Sequence, residues 1–188
     1  MRTHALSLAI GLAAGVTLAA LAQAPAQQRT PDLVAARIVE EHILRRVADT
    51  LDHAVDTKNW TLARAQFADR VALDMSSLGG PRAEVAADEL VAGWQRAFRG
   101  DKTSLHLRTN HLATVDSDAA RMTSHGYAWN RLPEGAVAGV DGPALWEVWG
   151  QYDYRFARIS GEWRITHFTF VATHDRGPRA VPAAVRPE

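Results

Sequence analysis

The stretch LRTNHLATVDSDAA, residues 107–120, reads as the end of one strand, a turn at "DSD", and the start of the next. In an alternating segment, Leu105, Leu107, Ala113 and Val115 mark one side as buried, while His106, Arg108 and Asn110 fall on the other. His111 shares the parity of the apolar set. A histidine on such a face is either a core residue hydrogen-bonded to backbone or a group directed into a cavity.

The same period of two continues on either side. Strands are expected over 105–115, 120–130, 146–158 and 163–174, joined by "DSD", by the glycine-rich "RLPEGAVAGVDGP" and by "SG". Upstream the period is helical. Pro31 and Asp32 open a long helix in which Ile43, Val47, Leu51 and Val55 recur every four residues. "DTKNW" interrupts it, Trp60, Ala63 and Phe67 mark a short second helix, and Val71 to Met75 is a brief strand. After the loop "SSLGGPR", a third helix carries Leu90, Val91, Trp94 and Phe98 and is closed by Gly100.

Helices first and a hairpin-connected meander afterwards imply an α+β domain whose antiparallel sheet curls around three helices, a cone with a cavity in its mouth. Gly126 and Gly150, inside otherwise regular strands, suit bends or close approach. On the second long strand, Ala120, Met122, Ser124, Gly126, Ala128 and Asn130 share one face, and their small size leaves room beneath them.

Composition narrows the function. With 21 acidic and 21 basic side chains in 188 residues there is no basic footprint for nucleic acid, and the absence of cysteine removes disulfides, thiol nucleophiles and thiolate metal sites. The eight histidines form no HExxH or close i, i+4 pair, so no metal site is expected, and no phosphate-binding glycine loop or GxSxG motif calls for a cofactor or a serine nucleophile. The expected partner is a small, largely apolar molecule, with Trp94 and Trp146 the tryptophans best placed to line its pocket and Met75 and Met122 contributing apolar wall.

At the N-terminus, Arg2 and His4 precede an apolar run from Ala5 to Leu21 and small-residue triplets, the plan of a secretory signal peptide over residues 1–26. Export to the periplasm or medium, without stable membrane insertion after cleavage, is the expectation. Residues 27–30 form a polar joint, 31–175 the domain, and 176–188 a loose Pro-rich tail. His125, Tyr127, Trp129, Trp149 and Gln151 populate the face opposite the pocket and suggest a homo-oligomer.

Asp56 sits at the C-terminal end of the long helix, where a negative charge meets the unfavourable end of the macrodipole, with Asp52 and Asp49 on the same face. It is a solvated acidic edge, the start of the "DTKN" turn, or the partner of a histidine across the cavity. "AVDTKNW" with Asp56, "LRTNH" with His111 and a closing "SGEWRIT" together resemble the SnoaL-like branch of the nuclear-transport-factor-2-like superfamily, in particular its scytalone-dehydratase-like members, over about residues 33–174. The resemblance implies the cone fold. It also implies an aspartate–histidine pair serving proton abstraction, here Asp56 and His111, in a cofactor-independent lyase or isomerase. Asn130 and Tyr152 would then bind substrate oxygen. Val55, Asn130, Gly150 and Tyr152 replace the tyrosine, second histidine, serine and asparagine of the dehydratase, so its substrate set is not kept. Relatives that use the cone only for binding or assembly leave a non-catalytic module as the alternative.

Overall fold

The computed structural model describes residues 26–183, so all of the expected leader but Ala26, and the last five residues, lie outside the described residues. Helix α1 (Ala26–Asp56) begins before Pro31, so residues 27–30 extend the helix and are not a separate joint. It ends where Lys58 takes a left-handed conformation, φ 57°, and the Asn59 amide returns to the Ala54 carbonyl at 2.8 Å. Asn59 then caps α2 (Trp60–Ala65), its side chain accepting from the Leu62 N–H at 3.1 Å.

Strand β1 (Phe67–Asp74) follows, then a 3₁₀ turn at Ser76–Leu78 and strand β2 (Arg82–Ala86), of which only Arg82 falls in the expected loop and the rest has no expected element. Helix α3 (Ala87–Ala97) is capped at Phe98, and Gly100 belongs to the turn beyond. The four long strands are β3 (Thr103–Asp116), β4 (Ala119–Leu132), β5 (Ala144–Ile159) and β6 (Glu162–Arg176), within a residue or two of expectation. They form one six-stranded sheet in the order β2-β1-β6-β5-β4-β3, antiparallel except where β1 runs parallel to β6. This is the mixed α+β arrangement expected. Among the described residues no helix is long and apolar enough to cross a membrane.

The core lies between the helices and one face of this sheet. On α1 the buried stripe is Leu44, Ala48, Leu51 and Val55, with Ile43 turned outward at 38% exposure. Gly126 and Gly150 face one another across the β4–β5 ladder. A Cβ on Gly126 would stand 2.2 Å from the Tyr152 ring, and one on Gly150 would stand 2.5 Å from the Phe170 ring, so both glycines exist for close aromatic approach. The tail is not loose at its start: Ala180–Ala183 form a short helix, α4, with Val181 fully buried.

One irregularity on β3 changes the reading of the site. Thr109 pairs with His125 and Leu112 with Thr123, so β3 spends one more residue than β4 between these two pairs, and Asn110 adopts φ 54°. This β-bulge reverses the facing of every residue before it relative to those after it. Leu105 and Leu107 are therefore exposed, at 37% and 53%, while His106 and Arg108 point inward. Beyond the bulge, His111 and Ala113 are on the inner side as expected.

Candidate functional site

Three aspartates of α1 meet three basic residues of β3, because helix and strand run antiparallel. Asp56 faces His106, Asp52 faces Arg108 and Asp49 faces His111. The spacing on the helix, three and four residues, keeps the acids on one face, and the spacing on the strand presents the bases in the same order. Asp56 and His111 are thus not brought together. The His111 Nε2 is 4.0 Å from Asp49, its Nδ1 has no hydrogen-bond partner among the described residues, and it does not line the cavity. Burial pushes its pKa down, Arg45 and Arg108 adding to the effect and Asp49 opposing it.

The histidine that Asp56 holds is His106. One carboxylate oxygen accepts from the Ser104 hydroxyl at 2.7 Å and lies 2.7 Å from His106 Nδ1; the other accepts the His106 backbone N–H at 2.8 Å. Burial works against the Asp56 charge, but the hydrogen bonds from His106 and Ser104 outweigh it and its pKa is lowered. An ionised carboxylate only accepts, so Nδ1 carries the proton and Nε2 is the ring nitrogen left for the cavity.

That cavity, of about 660 Å³, is bounded by α1, α3, the turn after β1 and the inner faces of β3 to β6. His106 and Arg108 line it, with Asn130, Tyr152, Met75, Trp94 and Trp146 from the sequence reading. Met122 does not. It is fully buried opposite Tyr154 in the β4–β5 ladder, while Tyr152, lying across Gly126, occupies the level between it and the lining residues Ala128 and Asn130. Trp94 packs edge-on to Phe168 at 5.8 Å, and Trp146 donates its indole N–H to Asp175 at 2.9 Å. Asn130 is buried with its Oδ1 unpartnered among the described residues, an acceptor waiting for a donor.

Beside His106, the Arg108 guanidinium forks onto the Asp52 carboxylate and stacks 3.5 Å above the Tyr152 ring. Burial pushes the Tyr152 hydroxyl up to about 12 despite that cation, so it stays a neutral phenol at physiological pH. No sequence motif marks Asp52 and Arg108 as site residues; the shared face of Asp49, Asp52 and Asp56 is the available signal, and Asn110, a residue tolerant of positive φ, is the sign of the bulge. Among the described residues no three His, Asp or Glu side chains converge to hold a metal ion.

Residues 36–169 match the family model of the SnoaL-like domain. The chain belongs to that family. Solved structures agree on the fold. The protein Kfla4162 from Kribbella flavida is 27% identical with a TM-score of 0.71, the match covering 78% of this SnoaL-like chain and 99% of that one. A candidate scytalone dehydratase from Novosphingobium aromaticivorans is 14% identical, TM-score 0.64, over 76% and 90% of the two chains. The hexachlorocyclohexane dehydrochlorinase LinA-type3 from Novosphingobium barchaimii is 15% identical, TM-score 0.58, over 76% and 92%. At these identities the last two establish a shared fold and nothing finer. Among curated proteins, none matches the sequence.

Proposed function

We propose that this SnoaL-like protein binds a small, largely apolar molecule in the cone and acts on it as a cofactor-independent lyase or isomerase, with His106 as base and Asp56 as its orienter. The observation that carries this reading is the set of three contacts by which Asp56 fixes one segment of β3, presenting His106 at the wall of a predominantly apolar cavity. Nε2 would take a proton from a carbon beside an activating carbonyl. The C–H electron pair would become a double bond as a hydroxide or halide leaves, the imidazolium returning its proton to the departing group, or it would be reprotonated elsewhere in an isomerisation. Asn130 and Tyr152 would position substrate oxygen. The elimination named for the dehydratase and the dehydrochlorinase is consistent with this chemistry and supports it by fold alone.

Export after loss of the leader, and self-association through the outer face of the sheet, belong to the same proposal. On that face the tilted rings of Tyr127 and Trp149 pack with centroids 5.1 Å apart, and those of Trp149 and His174 with centroids 5.3 Å apart.

The test is a thermal-shift screen of apolar carbonyl and hydroxylated compounds, followed by assays of solvent deuterium incorporation and elimination on each hit. Turnover should fall by about 10²-fold or more in His106→Ala and in Asp56→Asn, and should persist in His111→Ala. Ligands held equally by wild type and all variants, with no chemistry in any, would establish the non-catalytic binding module instead.

A further inference from the structure

Lys102 immediately precedes β3, two residues before Ser104, and begins the same inward row as Ser104, His106 and Arg108. Its side chain is 2% exposed, yet it lines the cavity. The ammonium makes a single hydrogen bond, to the Val181 carbonyl at 3.3 Å, and sits 4.8 Å from the centre of the Phe98 ring. Among the described residues no carboxylate lies within 4.0 Å of it.

The other charges on the cavity wall are either paired or exposed. Arg108 is held by Asp52, Arg179 by Asp175 at 2.7 Å, and Glu89 is exposed. Among the described residues the balance leaves one buried cation without a carboxylate partner, with two of its N–H donors unused. A buried charge without a counter-charge is costly to keep, and an anion arriving from solution would remove that cost. Burial, helped by Arg99, draws the Lys102 pKa down to about 8, which still leaves it protonated at pH 7. The chain otherwise avoids lysine: Lys58 and Lys102 are its only two among 21 basic residues.

We propose that Lys102 anchors a carboxylate of the ligand, so that the cavity selects apolar acids over neutral molecules of the same shape. The inference rests on the cavity being a small-molecule site, as proposed above, and adds the chemical class of what enters. Phe98 lies against both the Lys102 ammonium and the His106 ring, whose centroid is 6.1 Å from its own. An acid group held at Lys102 therefore lays the apolar body of the ligand along Phe98 toward His106. The carboxylate is the handle and the reacting carbon lies at the other end. Asn130, paired with Ser104 across the β3–β4 ladder, offers its free Oδ1 between the two.

The experiment is isothermal titration at pH 7 of 2-naphthoate and of its neutral counterpart 2-naphthamide into wild type, Lys102→Met and Lys102→Gln. Wild type should prefer the acid by roughly 10- to 100-fold, the range of a hydrogen bond to a charged group. Both variants should hold the two probes within about twofold of each other, because neither carries the charge. A crystal structure of wild type with naphthoate should place the carboxylate within about 3.2 Å of the Lys102 Nζ, which tests the idea even if a variant fails to fold. Equal affinity of wild type for both probes would overturn the anchor while leaving the cavity reading intact. A preference that survives in both variants, or a carboxylate seated on Arg179, would do the same. Failure of both probes to bind at millimolar concentration would overturn the anchor and the cavity reading together.

Discussion

Replacing Asp52 with asparagine should be among the most damaging single changes available. The substitution keeps the shape of the side chain and removes its charge, leaving the Arg108 guanidinium in the cavity wall with no anion. The two side chains are 9% and 3% exposed, and Arg108 Nη1 already has no partner among the described residues, so little water reaches the stranded cation. Breaking a buried pair from one side costs about 3–5 kcal/mol, and asparagine can still accept one hydrogen bond, which places Asp52→Asn near about 3 kcal/mol. Against a stability of roughly 5–15 kcal/mol this is a large fraction, and at a urea slope near 2 kcal/mol per molar the midpoint moves by about 1.5 M. Arg108→Met should cost a similar amount by orphaning the carboxylate. The double variant Asp52→Asn/Arg108→Met should cost less than the sum by about 2 kcal/mol, since it leaves no buried charge. Urea unfolding followed by tryptophan fluorescence, with slopes compared to confirm two-state behaviour, reads all four corners of the cycle. An Asp52→Asn variant within about 1 kcal/mol of wild type, or strict additivity in the double variant, would refute the argument.

Two further outcomes follow from the same geometry. His111 holds its proton less tightly in the fold than its ordinary value of 6.5. The unfolded chain therefore binds more protons just below that pH, and stability is lost as pH falls through 6.5 toward the folded value. His111→Gln should remove this component, so the melting-temperature gap between the variant and wild type should change between pH 7.5 and pH 5; a constant gap would contradict it. Gly126→Ala would drive a methyl to 2.2 Å from the Tyr152 ring and should cost about 1–3 kcal/mol by overpacking, with chemical denaturation showing less than about 0.5 kcal/mol as the disproof.

How far the molecule could be read from its residues depends on whether the controlling feature is local. The β3–β4 hairpin, the long β5 and β6 strands and the close approaches at Gly126 and Gly150 are written in alternation and in glycine placement, and they appear where expected. Strand β2 is not legible in the sequence because Arg82 to Val85 are largely exposed and carry no buried alternation. The expected pairing of Asp56 with His111 fails by one residue's worth of geometry. Parity counted through Asn110 as if β3 were regular puts His111 with Leu105 and Leu107, whereas the bulge there gives the front half of the strand the opposite facing. Asp52 was visible as a neighbour of Asp56 but not as half of a buried pair, because its partner lies 56 positions away. The burial of Val181 and its carbonyl contact to Lys102 are equally long-range, and a Pro-rich tail gives no hint of them.

The rungs between α1 and β3 also fix where the helix sits along its own axis. Its apolar stripe alone is a poor ruler. Leu44, Ala48, Leu51 and Val55 recur at nearly one-turn intervals, so a helix displaced by one turn, about 5.4 Å, would still lay aliphatic residues on the sheet. The acids do not forgive that slip. A one-turn displacement that carried Asp52 to His106 would set Ala48 against Arg108 and abandon a guanidinium among apolar side chains. A mismatch of charge therefore counts helical turns that greasy contacts cannot count, and it is this indexing that brings Asp56, and no other carboxylate, to His106.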